Sequence, residues 1–159
     1  NQMTENILVQ ELVPYQDEKD PYILRFEYIG GDFLYGLKTK VTPGVYNNCA
    51  ADACQEGECG IEATSDDKFT ILHSGHPLHD FVLPKVPHQK ILAFLKQAGS
   101  EIAGLEFMLR GNELLCIDAN VANTNYGRRQ EAAYTRATGI LLSGHRRVAE
   151  YLLARVSGK

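Results

Sequence analysis

Residues 103–126, AGLEFMLRGNELLCIDANVANTNY, read as two strands joined by a tight turn, with Glu106 on one strand and Asp118 and Asn120 on the other. Side chains alternate across a strand, so a slip of one residue sends a whole strand to the opposite face. A two-residue Gly111-Asn112 turn would group Asp118 with Leu105, Phe107 and Leu109, and burying a carboxylate among apolar residues is costly. A three-residue loop (Gly111, Asn112, Glu113) instead collects Leu105, Phe107, Leu109, Leu115, Ile117 and Ala119 on one face. The other face then carries Glu106, Met108, Cys116, Asp118 and Asn120, with Glu106 directly opposite Asp118. Such loops are common, and Gly or Asn suits their left-handed position. Two facing carboxylates repel unless a cation or a proton intervenes. Hard cations such as magnesium take carboxylate and amide oxygens, which Glu106, Asp118 and Asn120 supply. The bland alternative is a half-exposed hairpin with a solvated polar face.

The same test applies to residues 22–41, where Gly30-Gly31 is a strong hairpin signal. A two-residue turn sorts Tyr22, Leu24, Phe26, Tyr28, Phe33, Tyr35, Leu37 and Val41 onto an apolar face. The opposite face receives Ile23, Arg25, Glu27, Gly36, Lys38 and Lys40, so three cations share a face with open space at Gly36. Arg and Lys on a concave sheet face suit phosphate oxygens. Taken alone, this face reads as solvent-exposed, with Glu27 pairing a lysine. Beside the oxygens of the second hairpin, the cations suit a metal-bound polyphosphate.

Around these hairpins the pattern is α+β with an antiparallel sheet and helices packed on one face. Residues 6–13 read as a short strand, 15–20 as a loop and 68–73 as a further strand. The stretch 42–66 has no periodicity, and 42–80 is expected to be a loop or insertion region. Pro87 opens a helix through Ile91, Leu92, Phe94 and Leu95 that Gly99 stops. Helices are expected at 128–138 and 144–156, the latter amphipathic through Val148, Tyr151, Leu152 and Val156.

At 159 residues the chain has room for one domain with a real core, and 44% hydrophobic with 23% charged residues is a globular composition. A net charge of −4 leaves no electrostatic footprint for nucleic acid or an anionic membrane, so neither is expected as a partner. No apolar run is long enough to span a bilayer and no signal peptide is evident, which makes the cytoplasm the expected compartment. Cys49, Cys54 and Cys59, followed by His73, His76 and His79, carry zinc-type ligands, but without a CxxC pair or a usual knuckle spacing. A polar loop with free thiols and surface histidines is the preferred reading. The first residue is Asn1 rather than Met, and the chain is expected to be part of something longer.

These pieces resemble the ATP-grasp ligases. Asp118-Ala119-Asn120, preceded by Ala103-Gly104-Leu105-Glu106-Phe107, looks like their metal-binding hairpin. Gln10-Glu11-Leu12-Val13 resembles the strand entering the adenine-binding hinge, and Leu24–Glu27 through Leu34–Lys38 the hairpin that follows it. The likeness covers about half the chain and is most similar to the glutamate-ligase-like branch. It implies that Gln10, Glu11 and the backbone of Leu12 and Val13 hold adenine, and that Arg25 meets the phosphates, with Lys38 a weaker candidate. It implies magnesium (or manganese) on Glu106, Asp118 and Asn120, and places Asn125, with Asn123, on the acceptor side. The implied activity is ATP-dependent carboxylate–amine or carboxylate–thiol ligation through an acyl phosphate, with ATP and a small-molecule or peptide carboxylate as partners. The lysines and glycine-rich loop that close over the nucleotide in this family are not in the chain. It is therefore expected to be the C-terminal half of an ATP-grasp fold, inactive or very weak without the N-terminal part, and open to self-association. Two other readings stand beside this one: a non-catalytic nucleotide-binding or assembly module, and a zinc-stabilised interaction domain.

Overall fold

Tyr22–Ile29 (β1) is buried along almost its whole length, although Arg25 and Glu27 lie within it. A strand buried to this extent is expected in the middle of its sheet, with side chains packed on both faces. The computed structural model, which describes residues 11–41, 69–75, 77–120 and 128–158, places it there. The other strands are β2 (Asp32–Lys40), β3 (Phe69–Leu72), β4 (Ile102–Arg110) and β5 (Glu113–Asn120), in the order β3-β2-β1-β4-β5. Every neighbouring pair is antiparallel. Among the described residues four α-helices complete an α+β architecture: α1 (Pro77–Val82), α2 (His88–Gln97), α3 (Arg128–Thr138) and α4 (Gly144–Val156), with a 3-10 turn at Leu83–Lys85.

The main core lies between one sheet face and the α1–α2 segment. Leu24, Phe26, Tyr28, Leu72, Leu105 and Phe107 meet Val82, Val86, Ile91 and Leu95 there. The helix from Pro87 is α2, which buries Ile91 and Leu95 and stops before Gly99, whose φ of +64° suits only glycine well. Leu92 packs against this core while Phe94 is exposed. The expected helices at 128–138 and 144–156 are α3 and α4. Strand β3 and the start of α1 both fall within the expected insertion region 42–80. Of the expected strand at 6–13, residues 1–10 lie outside the described residues, and Glu11–Val13 are not in a strand.

The opposite sheet face carries two smaller clusters. Tyr35, Leu37, Ile71 and Leu142 form one, with Tyr134 of α3 against it. Tyr15, Ile23 and Met108 form the other, with Val13, Val41 and Ile117 beside them. Between the two clusters lie the charged residues of β1. Helix α4 touches the sheet through Tyr151, whose ring fills the space over Gly30. Leu152, Leu153 and Val156 are exposed, so the buried side of α4 is not the one expected through Leu152 and Val156.

Both hairpins depart from a simple ladder. Gly30 and Gly31 form a two-residue turn with φ of +62° and +91°, the pattern of the twisted hairpin turns that favour paired glycines. The pairing then skips Leu34: Tyr28 faces Phe33 but Glu27 faces Tyr35. This bulge reverses the expected sorting of β2. Tyr35 and Leu37 share a face with Arg25 and Glu27, whereas Gly36 and Lys38 lie with Phe26 and Leu24. The steric reason is visible at Gly36, where a Cβ would come within 3.0 Å of the fully buried Phe26 ring. A bulky Tyr35 in that place could not be accommodated.

In the second hairpin the turn has two residues, since Arg110 faces Glu113, and not the three expected. Gly111, with φ of +60°, takes the first central position of a II′-type turn. Leu114 accordingly faces Leu109, and Leu115 faces Met108. The ladder then skips Ile117, so that Phe107 faces Cys116 while Glu106 faces Asp118 and Gly104 faces Asn120. A bulge restores the facing carboxylates that the loop length alone would have separated.

Candidate functional site

Period-two spacing puts Arg25 and Glu27 on one face of β1, and the β1–β4 register sets Arg25 opposite Glu106 and Glu27 opposite Gly104. The Arg25 guanidinium donates from Nε to Glu27 Oε1 at 2.6 Å and from Nη1 to Glu106 Oε1 at 3.0 Å. Arg25, Glu27 and Glu106 are 8%, 0% and 6% exposed, so one cation and two carboxylates are held almost out of water. Asp118, exposed on edge strand β5, faces Glu106 from the other side, with Asn120 two residues along.

Gly104 makes this packing possible. A Cβ there would lie within 2.6 Å of Arg25 Cζ and Nε, in the space the guanidinium fills. A strand glycine often marks such a close approach. The cluster is short of positive charge, and the ionisation of its members reflects that. Burial pushes the Glu106 carboxyl above its ordinary pKa; Arg25 opposes the rise, while Asp118 and Glu27 add to it. Burial pulls Arg25 down, yet Glu27 and Glu106 leave it above its ordinary value. Glu106 Oε2 is buried and has no hydrogen-bond partner among the described residues. A buried carboxylate oxygen in that state calls for a donor or a cation.

Lys38 and Lys40 do not join this cluster. The β2 bulge places Lys38 on the opposite face, where it bonds Asp20 at 2.8 Å and stands 4.5 Å above the Tyr22 ring. Lys40 lies 3.7 Å from the same Asp20, and the two lysines hold the Asp20 carboxyl below its usual range. The expected shared face of three cations is thus corrected to Arg25 on one side and two lysines on the other. Glu27 pairs with Arg25, not with a lysine, and is the member of the cluster that sequence reasoning missed. Its signal was the Arg-x-Glu spacing inside a strand otherwise made of buried apolar residues. Gly104, small within a strand of bulky residues, was the second.

Of the residues implied to hold adenine, Glu11 is exposed with its carboxylate 3.6 Å from Arg110. Leu12 is exposed, and Val13 packs beside Tyr15 and Ile23. Gln10, Asn123 and Asn125 lie outside the described residues, as do Cys49, Cys54, Cys59 and His76. His73 Nδ1 is 2.9 Å from the Ser74 carbonyl, and His79 Nδ1 is 2.8 Å from Asp80. Among the described residues, no three His, Cys, Asp or Glu side chains gather as a metal cluster. The Glu106, Asp118 and Asn120 set has two carboxylates and an amide. Its fit to a magnesium-type ion rests on the oxygen chemistry and on the buried Oε2 atom. No helix among the described residues is long and apolar enough to cross a membrane.

No family model matches the chain, and no curated protein matches it. Among solved structures, the chain is similar to D-alanine–D-alanine ligase from Bacillus anthracis, complexed with ATP, at 15% identity and a TM-score of 0.45. The match covers 87% of this chain and 42% of that ligase, so the chain spans about two fifths of the ligase's length.

Proposed function

We propose that this chain is the C-terminal catalytic part of an ATP-grasp-type ligase that uses ATP and magnesium to activate a carboxylate and join it to an amine or a thiol. The reading is carried by the buried Glu106 carboxylate, held at one oxygen by Arg25, facing Asp118, and with Oε2 lacking a partner among the described residues. Asn120 supplies an amide oxygen on the same face. The order of pieces resembling the ATP-grasp hairpins, from Gln10–Val13 to Asp118–Asn120, supports it independently of that geometry.

In this reading Glu106, Asp118 and Asn120 hold the ion, whose charge offsets that of the polyphosphate. Arg25 keeps Glu106 in place and adds positive charge on the same face; Glu11, Leu12 and Val13 approach adenine, and Asn125 the acceptor. The substrate carboxylate oxygen bonds to the γ-phosphorus as the β,γ-bridging bond breaks and ADP leaves. The amine or thiol then bonds to the acyl carbon, loses its proton and expels phosphate. Preorganised charge around the transferred group is the main source of acceleration in such a reaction. The remaining half of the cleft belongs to a further part of the enzyme. The exposed Ile140, Leu141, Leu152, Leu153 and Val156 offer apolar surface for it or for a second copy.

The test uses the complete natural protein, ATP and a panel of carboxylates and amines, with ADP release as the readout. Asp118→Asn is expected to lower turnover at least ~100-fold, the scale of losing one preorganised electrostatic group. Unchanged turnover would remove Asp118 from the site. Arg25 is committed to two carboxylates, which favours one further reading, a nucleotide-binding or assembly module without turnover. Nucleotide binding with no ADP formed across the panel would select it. Stoichiometric zinc in the purified protein would instead select a zinc-stabilised domain.

A further inference from the structure

We propose that Glu27 and Gly104 are positioning residues of this site: together they fix the Arg25 guanidinium, and through it one oxygen of Glu106, leaving the other oxygen to a divalent cation. The inference rests on the metal reading above and adds two residues that touch neither the ion nor the nucleotide.

A guanidinium is a rigid planar fork, so fixing it at Nε also sets where its Nη groups point. Glu27 supplies that fixing at 2.6 Å and is fully buried. Gly104 bounds the other side, because a Cβ would occupy the guanidinium's own place. Gly104 also faces Asn120 across the β4–β5 ladder and lies two residues from Glu106, so the notch is set among the proposed ligands. The two constraints leave Nη1 at 3.0 Å from Glu106 Oε1. Glu106 is thereby held by one oxygen only, and its Oε2 stays buried without a partner among the described residues. A carboxylate restrained in this way is preorganised for monodentate ligation. Glu27 also keeps the guanidinium from being satisfied by Glu106 alone.

Two readouts on the whole chain test the pair: Mn2+ affinity, from the loss of the free-ion electron paramagnetic resonance signal, and the Arg25 Nε–Hε resonance in 1H–15N spectra. In the unaltered chain the resonance is expected to be sharp and slow to exchange, with Mn2+ bound. Gly104→Ala changes no charge, and Glu27→Gln keeps the size of the side chain. Each is expected to broaden or speed exchange of the Arg25 signal and to weaken Mn2+ binding about tenfold, the lower end for residues that orient a ligand. Acting through one guanidinium, the double variant should be no weaker than the poorer single variant. Should Glu27→Gln fail to fold, Glu27→Asp, which keeps the charge but withdraws the carboxylate from Nε, replaces it. An Arg25 signal and Mn2+ affinity unchanged while only the melting temperature falls would overturn the proposal, as would additive losses in the double variant. If the unaltered chain binds no Mn2+ but the variants still release Arg25, the metal reading fails and the positioning of Arg25 stands.

Discussion

Hairpins β1–β2 and β4–β5 use the same devices with opposite consequences. Each turns on two residues led by a left-handed glycine, and each carries one extra residue, Leu34 or Ile117, at a bulge. In β4–β5 the bulge brings Asp118 back to face Glu106. In β1–β2 it takes Lys38 away from Arg25 and puts Tyr35 and Leu37 in its place. Each hairpin also has a strand glycine that receives a side chain from β1: Gly36 takes the Phe26 ring and Gly104 takes the Arg25 guanidinium. A bulge is therefore a parity switch, and the strand glycines show which side chains the two parities must accommodate.

If Arg25 is the hub of the charged face, removing it should be the most damaging change to stability. Arg25→Met would keep much of the bulk and leave Glu27 buried without its cation, for an expected loss of about 3–5 kcal/mol. Chemical denaturation measures it. A loss below about 1 kcal/mol, the range of exposed pairs, would mean that the cluster is solvated. The apolar face has its own test at the other glycine. Gly36→Val would press on Phe26, which is packed against Phe33 and Phe107 with ring centroids 6.1 and 5.2 Å away. The expected cost is about 1–3 kcal/mol, and the same variant should leave the environment of Arg25 unchanged.

Much of this was legible from pattern. The hairpins at Gly30-Gly31 and Gly111-Asn112, α2, α3 and α4 follow from turn residues and periodicity. The facing of Glu106 and Asp118 was also reached, but through a three-residue loop where the chain uses a short turn and a bulge. Sequence spacing counts residues and is blind to one that is skipped. The same blindness misplaced Lys38 on the face of Arg25. Burial of Arg25 and Glu27 was missed for a different reason. An alternating strand was assumed to have one wet face, whereas β1 lies mid-sheet with apolar clusters on both sides of its charges. Helix α1 and its 3-10 extension were not anticipated, since Pro84 and Pro87 break the periodicity after only a turn or two.

Glu106→Gln separates function from fold on the charged face. Because the folded-state pKa of Glu106 is raised, the side chain favours the fold when protonated, and that contribution is lost as pH rises through the raised value. Its ordinary value is 4.5, so the loss sets in above that pH and persists at neutrality. Gln can still accept from Arg25 and carries no charge. The variant should then be as stable as the parent near pH 4 and more stable at pH 7, and under the proposed reading it loses ADP-forming turnover. Lower stability at pH 7 would mean that the bond to Arg25 outweighs the burial of the extra charge.

The smallest effect belongs to the neutral polar contact on the apolar face. Tyr28 Oη and His88 Nδ1 are 2.8 Å apart, tying α2 to β1, and Phe33 packs edge-on to the imidazole at 5.0 Å. Burial raises the Tyr28 pKa far above its ordinary value and lowers that of His88. Both groups are therefore neutral across the physiological range, in contrast to the charged cluster on the other face. His88 binds a proton less readily in the folded chain than in the unfolded one, whose value is about 6.5. Its contribution is fully present above that pH and is lost as pH falls through the lowered folded value. Tyr28→Phe should cost about 1 kcal/mol at pH 7.5, the worth of one neutral hydrogen bond. His88→Gln should flatten the stability profile as pH falls below about 6.5, while Glu106→Gln flattens it as pH rises above 4.5. If the double variant departs from the sum of the two single variants anywhere in that range, the polar contacts on the two faces are not independent.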